Sequence, residues 1–141
     1  MSSPVIRAHD NAVVAAVASI GRPTGYGDAP AGALANLLKN PPGPGYYIVY
    51  PLPGGMRDGS MSDPYADVEL VYQVTCVDRG PEGVRWLTDQ LESKFAALQV
   101  SDRSVLWVKP TMPSGVFRDE ETANPPVFFS TPTFRLATTG S

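Results

Sequence analysis

The sequence predicts an α+β domain in which an antiparallel or mixed sheet of about four strands carries two helices on one face, with long Pro/Gly-rich loops between these elements. Residues 67–78 alternate between an apolar and a mixed face, as a half-buried strand does. Residues 84–98 carry an apolar stripe at helical spacing. The predicted order is helix, strand, strand, helix, strand, strand, which favours this arrangement. A chain of 141 residues suits a single domain, 1–141.

The first helix is predicted over residues 10–20. Asp10 is the expected N-cap, because its carboxylate can accept free backbone N–H groups at the positive end of the helix dipole. Gly21 ends the helix. The apolar stripe of this helix comprises Val13, Val17 and Ile20.

A Pro/Gly-rich stretch at 21–45 is predicted to be a loop with one short helical turn at about 33–38. Residues 46–52 are aromatic and β-branched, which predicts a strand. Pro51 has no N–H, so the end of this strand is expected at a sheet edge or a bulge. The polar residues 53–66 are predicted to form a long connection to the next strand.

The strand at 67–78 is expected to pair with the preceding one as a hairpin with an unusually long tip. A loop of that length in a small domain is usually functional or disordered. The second helix begins near Pro81, whose missing N–H is not needed in a first turn, and Glu82 complements the helix dipole. Its apolar stripe comprises Val84, Leu87, Leu91, Phe95 and Leu98.

Two strands complete the predicted sheet. Residues 105–109 form a short one, and residues 127–138 form a longer one that Pro132 interrupts. Between them, 110–126 is predicted to be a second long loop, which contains the acidic run 119–121.

Charge and composition argue against several classes of protein. The net charge is −3 and the basic residues are scattered singly, which argues against a dedicated nucleic-acid binder. The single Cys76 allows no internal disulfide and suits a reducing cytoplasm. The N-terminus lacks the features of a signal peptide, and the longest apolar run, 12–18, is too short to span a bilayer. We therefore expect a protein made in the cytoplasm that does not associate with membranes.

Residues that could carry catalysis are few. The chain has one histidine, His9, expected to be exposed at the start of the first helix, and one cysteine, Cys76, expected to be a buried inert thiol on the apolar face of a strand. These two cannot make a zinc site, and no spacing of acidic residues matches a calcium loop. We expect no catalytic residues, no cofactor and no metal, although a hydrolase using two carboxylates stays open because carboxylate geometry is invisible in sequence.

Both tryptophans, Trp86 and Trp107, are expected to pack in the core. The tyrosines at 46, 47 and 50 alternate across a strand, so some of them should face away from the core and could contact another protein. The acidic residues of the long connection are most simply solvated turn residues rather than metal ligands, and the run 119–121 is most simply a solvated loop, with a charged partner surface as the alternative. The candidate interface residues are Tyr47, Pro53, Arg57, Asp58, Asp63, Tyr65, Asp119, Glu120 and Glu121.

Three stretches of the chain resemble the tail terminator proteins of long-tailed (siphovirus) actinobacteriophages. They are the opening IRAHDNAVVAAV, the block YYIVYPLPGGMRDGSMSDPYADVELVYQVTCVDRGPEGVRWLTDQL and a closing β segment. The central block, 46–91, carries most of the resemblance, and the loops 21–45 and 110–126 match poorly.

This resemblance implies a small α+β domain that forms a ring of six copies on the finished tail tube. Such a ring stops tube polymerisation and presents a surface to the head-side connector, and viral DNA passes through its lumen without specific binding. The protein would then be part of the virion, in the tail or neck, after assembly in the host cytoplasm. Two alternatives stay open: a head-closure or neck connector protein of the same virion, and, from a different class, a small ligand-binding or enzymatic α+β domain.

Overall fold

The structure is a computed structural model that describes residues 4–60, 63–112, 115–119 and 126–140. Helices and strands follow one another in the order α1 (Pro4–Ala18), β1 (Thr24–Tyr26), α2 (Ala33–Leu37), β2 (Tyr46–Ser60), β3 (Asp63–Asp78), α3 (Pro81–Ala96), β4 (Arg103–Met112), β5 (Phe117–Asp119), β6 (Val127–Ser130) and β7 (Thr133–Gly140).

One mixed sheet organises the chain around β3. β3 pairs with β2 along one edge, and along its other edge it pairs with β7 over Asp67–Gln73 and with β6 over Cys76–Asp78. β4 continues the sheet from β7, β5 continues it from β6, and β1 joins β2 as the parallel member. The α+β class is confirmed, but the described residues form seven strands, not about four.

Of the three additional strands, two come from segments that the sequence presents as loops and the third from division of the final strand. β1 and β5 have three residues each, too few to show a period of two. The long final strand is divided as predicted, because β6 ends at Ser130 and β7 begins at Thr133, on either side of Pro132. β4 reaches Met112, further than the predicted 105–109.

Residues 53–66 were expected to form a long polar connection, and that prediction is wrong. The β2–β3 ladder runs through this stretch, with Met56 opposite Glu69, Asp58 opposite Asp67 and Ser60 opposite Asp63. A register shift between Leu52 and Met56 accommodates the residues PGG, so the two strands re-pair beyond them. Side-chain polarity suggested a loop, but backbone pairing with β3 determines the structure.

The main core lies between one face of the sheet and the helices α1 and α3, so the prediction that two helices share a face is confirmed. The predicted stripe of α3 is buried throughout. Phe95 of α3 stacks on Phe134 of β7 with the ring centroids 4.3 Å apart, which joins this helix to the sheet. The fully buried members of this core include Val13, Val17, Tyr47, Val49, Tyr72, Val74, Leu87, Leu91 and Leu136.

A smaller core covers the opposite face. The short helix α2, close to the predicted turn, packs there against the sheet. Its buried members are Ala33, Leu37, Tyr46, Ile48, Val77 and Val127. Because both faces are covered at this point, neighbouring residues of β2 are buried whichever face they point to.

Helix α1 begins six residues before the predicted start. Proline at position 4 suits a helix start, because a first-turn N–H has no acceptor within the helix. Asp10 therefore lies inside the helix and is not its N-cap. Its two carboxylate oxygens accept hydrogen bonds from Tyr72 Oη at 2.6 Å and Tyr26 Oη at 2.8 Å. Of the helices in the described part of the chain, none is both long and apolar enough to cross a membrane.

Candidate assembly surface

The far end of the β2–β3 hairpin extends beyond the strands that flank it. β1 accompanies β2 only from Tyr47 to Val49, and the pairing of β7 with β3 stops at Asp67. Past Asp67 the described backbone consists of β2 and β3 alone, which we call the ribbon (residues 58–60 and 63–66). At about 3.4 Å per residue, β3 continues for about 14 Å from Asp67 to Asp63.

The edge of β2 that faces away from β3 has few backbone groups available to pair with an added strand. Tyr47 N–H donates to Pro23 O at 2.9 Å and Val49 O accepts from Gly27 N–H at 2.8 Å, so these residues direct their backbone groups away from β3. The same alternation places the backbone of Pro51 on the outer side, where proline has no N–H to offer. The prediction that Pro51 marks an edge or bulge is confirmed, since β1 ends opposite Val49 and the register shift follows Leu52.

The structure brings several of the predicted interface residues onto one hairpin. Arg57 lies opposite Val68, and Asp58 opposite Asp67. Asp63 lies opposite Ser60 at the end of the ribbon, and Tyr65 belongs to the same strand. Pro53 is exposed at the register shift.

The other predicted residues lie elsewhere. Asp119 ends β5, opposite Val127, at the far edge of the sheet. Glu120 and Glu121 lie outside the described residues. Asp119 and the hairpin therefore lie on separate parts of the sheet.

Tyr47 was predicted to contact a partner, and this is wrong. The residue is 0% exposed, and its hydroxyl donates to the Leu87 carbonyl of α3 at 2.7 Å. Burial raises the pKa of this phenol well above its usual range. Tyr46 is also buried, on the other face, so the exposed aromatic strand that the alternation suggested does not exist.

Four large apolar side chains that sequence reasoning did not select are exposed on the described surface: Tyr26, Trp86, Leu106 and Phe117. Trp86 was expected in the core but is 43% exposed, and the guanidinium of Arg22 lies 4.9 Å from its ring centroid. The sequence indicates this exposure, because position 86 lies two residues from Val84 and falls off the helix stripe. Leu106 occupies the register shift of β4, which alternation alone does not reveal.

A histidine–hydroxyl pair lies beneath α1. His9 Nε2 is 2.7 Å from Thr138 Oγ1, the geometry of a general base beside a nucleophile. Both residues are 0% exposed, so no substrate atom can reach them in this structure. His9 was expected to be exposed at a helix start, and that prediction is wrong because α1 begins earlier.

Cys76 is buried, as predicted. Its pKa is raised to about 12, mainly by burial, although the hydroxyls of Ser130 and Thr88 oppose that shift. The thiol is therefore protonated at neutral pH and lies against α3. Among the described residues, no three acidic, histidine or cysteine side chains are grouped closely enough to hold a metal ion.

An open groove of about 450 Å³ lies between α1 and β1, lined by residues that include Arg7, Asp10, Asn11 and Tyr26. Burial and the hydrogen bond to Asp10 raise the pKa of Tyr26 to about 12 and that of Tyr72 further. Both hydroxyls remain donors to Asp10 at any ordinary pH, so the carboxylate is held by the protein itself.

No protein-family model and no curated protein matches the sequence. Fifteen chains of solved structures resemble this one. One of them, designated only by a sequence identifier and carrying no statement of function, has a TM-score of 0.51 at 16% sequence identity. The match covers 100% of this chain and 96% of that chain. At this identity the likeness concerns the fold alone, over the whole length of both chains.

Proposed function

We propose that this protein is a tail terminator of a long-tailed bacteriophage, which forms a ring at the head-proximal end of the tail tube and stops its polymerisation. The observation that carries the proposal is the ribbon at the end of β2 and β3. The ribbon lies in the block 46–91 that resembles the tail terminators. It contains the interface candidates Asp58, Asp63 and Tyr65, and a fourth candidate, Arg57, directly precedes it.

A ribbon of two strands is marginally stable by itself in water. Beyond Asp67 neither β7 nor β1 supports it, in the part of the chain that the structure describes. A strand pair that extends past its own sheet gains stability when it packs against another surface. In a closed ring of identical chains, that surface is a different patch on the next copy, because the contact is heterologous.

Electrostatics agree with a ring that surrounds DNA without gripping it. The chain has a net charge of −3, and its 11 Lys and Arg residues do not form a run in the sequence. Few phosphate contacts give weak, salt-sensitive binding, which suits passage of DNA through a lumen. The partners in this proposal are other copies of the chain, the tail-tube protein on one side and the head-side connector on the other.

The hairpin register offers a direct test. Asp58 and Asp67 are opposite each other, so residues 59–66 can be replaced by Asn-Gly, the turn that joins paired strands with two residues. The shortened protein should fold, because the sheet and both cores are untouched. It should fail to form the rings that the unmodified protein forms in light scattering and negative-stain microscopy, with purified tail-tube protein present.

A matched control replaces 59–66 with eight Gly and Ser residues, which keeps the chain length and removes the ribbon's own side chains. Loss of rings in both variants with normal urea unfolding supports an assembly role. Unfolding of the shortened monomer would instead show that the ribbon is structural. Unmodified protein that stays monomeric beside tail-tube protein would count against a terminator altogether.

Tail length separates a terminator from a neck connector. Phage that lack a functional terminator should accumulate overlong tail tubes. Loss of a head-closure or connector protein should leave tubes of normal length and heads that release DNA. Tubes of normal length in the absence of this protein would contradict the proposal.

A further inference from the structure

The buried His9 ring has a hydrogen bond on each nitrogen, and the bond to a carbonyl places a proton on Nδ1. Nδ1 is 2.7 Å from the Val5 carbonyl, which can only accept, so Nδ1 carries the proton. Nε2 must then accept, and its partner is the Thr138 hydroxyl at 2.7 Å. Thr138 Oγ1 in turn accepts from Arg103 Nε at 2.8 Å. With a neutral imidazole, the Thr138 hydroxyl donates to Nε2 and accepts from Arg103, so each donor in this chain has an acceptor.

These contacts join three elements. Val5 and His9 belong to the first two turns of α1, Thr138 to the end of β7, and Arg103 to the start of β4. The second half of α1 is held by Val13 and Val17 in the main core. The hydrogen-bond chain thus attaches the first two turns to β7 and β4, and the hydrogen bonds from Tyr26 and Tyr72 attach Asp10, at the end of the second turn, to β1 and β3.

Protonation of Nε2 would disrupt this series of hydrogen bonds. A second N–H would point at the Thr138 oxygen, whose own proton would lose its acceptor, and a cation would be created in a site where the ring is 0% exposed. Arg103 from β4 adds a like charge and opposes protonation, whereas Asp10 from α1 favours it. Asp10 already accepts from Tyr72 of β3 and Tyr26 of β1, and β7 contributes only the neutral Thr138. Burial is the largest influence and, with Arg103, lowers the pKa of His9.

We propose that His9, Thr138 and Arg103 form an acid-sensitive clasp that holds the first two turns of α1 on the sheet and releases them on acidification. The clasp does not depend on the role of the protein in assembly. It opens locally, because the second half of α1 and the buried stripe of α3 are anchored in the main core by apolar side chains.

The direction of the pH effect follows from the linkage between protonation of His9 and opening of the clasp. The released ring has the ordinary pKa of about 6.5, and the clasped ring has a lower one, so the released state binds more protons as the pH falls. Between pH 7.5 and 5.5 the released ring therefore gains more protons than the clasped ring. The opening equilibrium of these two turns should rise over that range, by about tenfold at most.

Because the chain has one histidine, a proton–carbon NMR titration of the full chain reports His9 without assignment ambiguity. We expect a pKa below the ordinary value in the unmodified protein and an upward movement in Arg103→Met. Arg135→Met is the matched control: it also removes an arginine of the sheet, but one paired with Glu69 on the exposed surface at 2.7 Å, and it should leave the titration unchanged. A His9 that titrates at or above its ordinary value, or equal shifts in the two variants, would overturn the proposal.

Amide exchange tests whether the release is local. After correction for intrinsic rates, protection at Ala8, His9 and Asp10 should fall by up to about tenfold from pH 7.5 to 5.5, and at both pH values it should be well below protection at Leu87 and Leu91, because local release needs less free energy than global unfolding. Equal protection in the two helices would mean that these turns open only when the whole domain unfolds and that no clasp exists. Unchanged protection at Ala8 to Asp10 would show that protonation leaves the contact closed.

Discussion

Replacing Gly25 with alanine tests how tightly β1 is seated. Residues 25–30 turn back on themselves, and a Cβ at position 25 would lie 1.9 Å from the backbone oxygen of Asp28. Real Cβ contacts essentially never fall below 3.0 Å, so the two backbone segments must separate by at least 1.1 Å, the difference between those distances. The obstacle is backbone, which cannot move away by a change of rotamer.

The cost of that separation can be estimated from what β1 holds. Moving β1 by 1.1 Å would stretch the bonds from Gly27 N–H to Val49 O (2.8 Å) and from Tyr47 N–H to Pro23 O (2.9 Å) beyond hydrogen-bonding distance. Each backbone bond contributes about 0.5–1.5 kcal/mol net, and a buried N–H left without a partner costs about 1–3 kcal/mol. Tyr47 is 0% exposed, so its N–H meets that condition. We expect Gly25→Ala to lower the free energy of unfolding by about 2–4 kcal/mol.

Urea unfolding followed by circular dichroism measures this difference. Gly80→Ala is the control, because a Cβ there has nothing within 4 Å and the backbone is extended at φ −141°. It should lower the free energy of unfolding by no more than about 1 kcal/mol, because Gly80 is the N-cap of α3 and alanine is a poorer cap than glycine. If Gly25→Ala is equally harmless and the Tyr47 amide keeps its protection from exchange, the close approach does not hold β1 in place and the reasoning fails.

Two further predictions concern the core. Leu91→Ala should lower the free energy of unfolding by about 2–5 kcal/mol, because Leu91 is 0% exposed at the centre of α3; a loss below 1 kcal/mol in a urea titration would place that helix face outside the core. Because the Cys76 pKa is raised to about 12, its thiol should react with a disulfide reagent at pH 8 about a thousandfold more slowly in the folded protein than in urea. Comparable rates in the two states would contradict its burial.

Elements with a strong internal period could be predicted from sequence. The stripe from Val84 to Phe95 identifies α3 and its buried face, since every stripe residue is one that the core requires. The alternation over 67–78 identifies β3 for the same reason. In both cases, burial of side chains on one face stabilises the element, and the spacing of apolar residues in the sequence identifies that face.

Elements held by backbone pairing or by a distant residue could not be predicted. The strand that runs through PGGMRDGS has almost no apolar pattern and exists because β3 lies beside it. His9 shows the same difficulty, because its burial depends on Thr138, 129 residues further along the chain. The start of α1 was placed at Asp10 because a carboxylate before an apolar run resembles a cap, whereas that carboxylate serves two tyrosines from other strands.

The two long edges of the sheet share a feature that bears on how such a domain can assemble. Val74 N–H donates to Pro132 O. The backbone N–H and C=O groups of Tyr72 and Val74 therefore point toward β7 and β6. Phe134 pairs with Tyr72, so its backbone groups point toward β3. Its partner on β4, Pro110, therefore directs its backbone groups away from β7, to the outer side of the sheet. Pro51 holds the equivalent outer position on β2.

A proline at an outward position removes the donor that an added strand would need, and so protects an edge from uncontrolled pairing. Continuous extension of the sheet through either edge is thereby disfavoured. The ribbon, which lies past Pro51 and beyond the pairing of β1 and β7, is then the element best suited to contact a neighbour. Replacing Pro51 and Pro110 with threonine restores that donor at both edges, and we expect it to add irregular aggregates visible by light scattering. Light scattering unchanged by the two substitutions would contradict the protective role of the prolines.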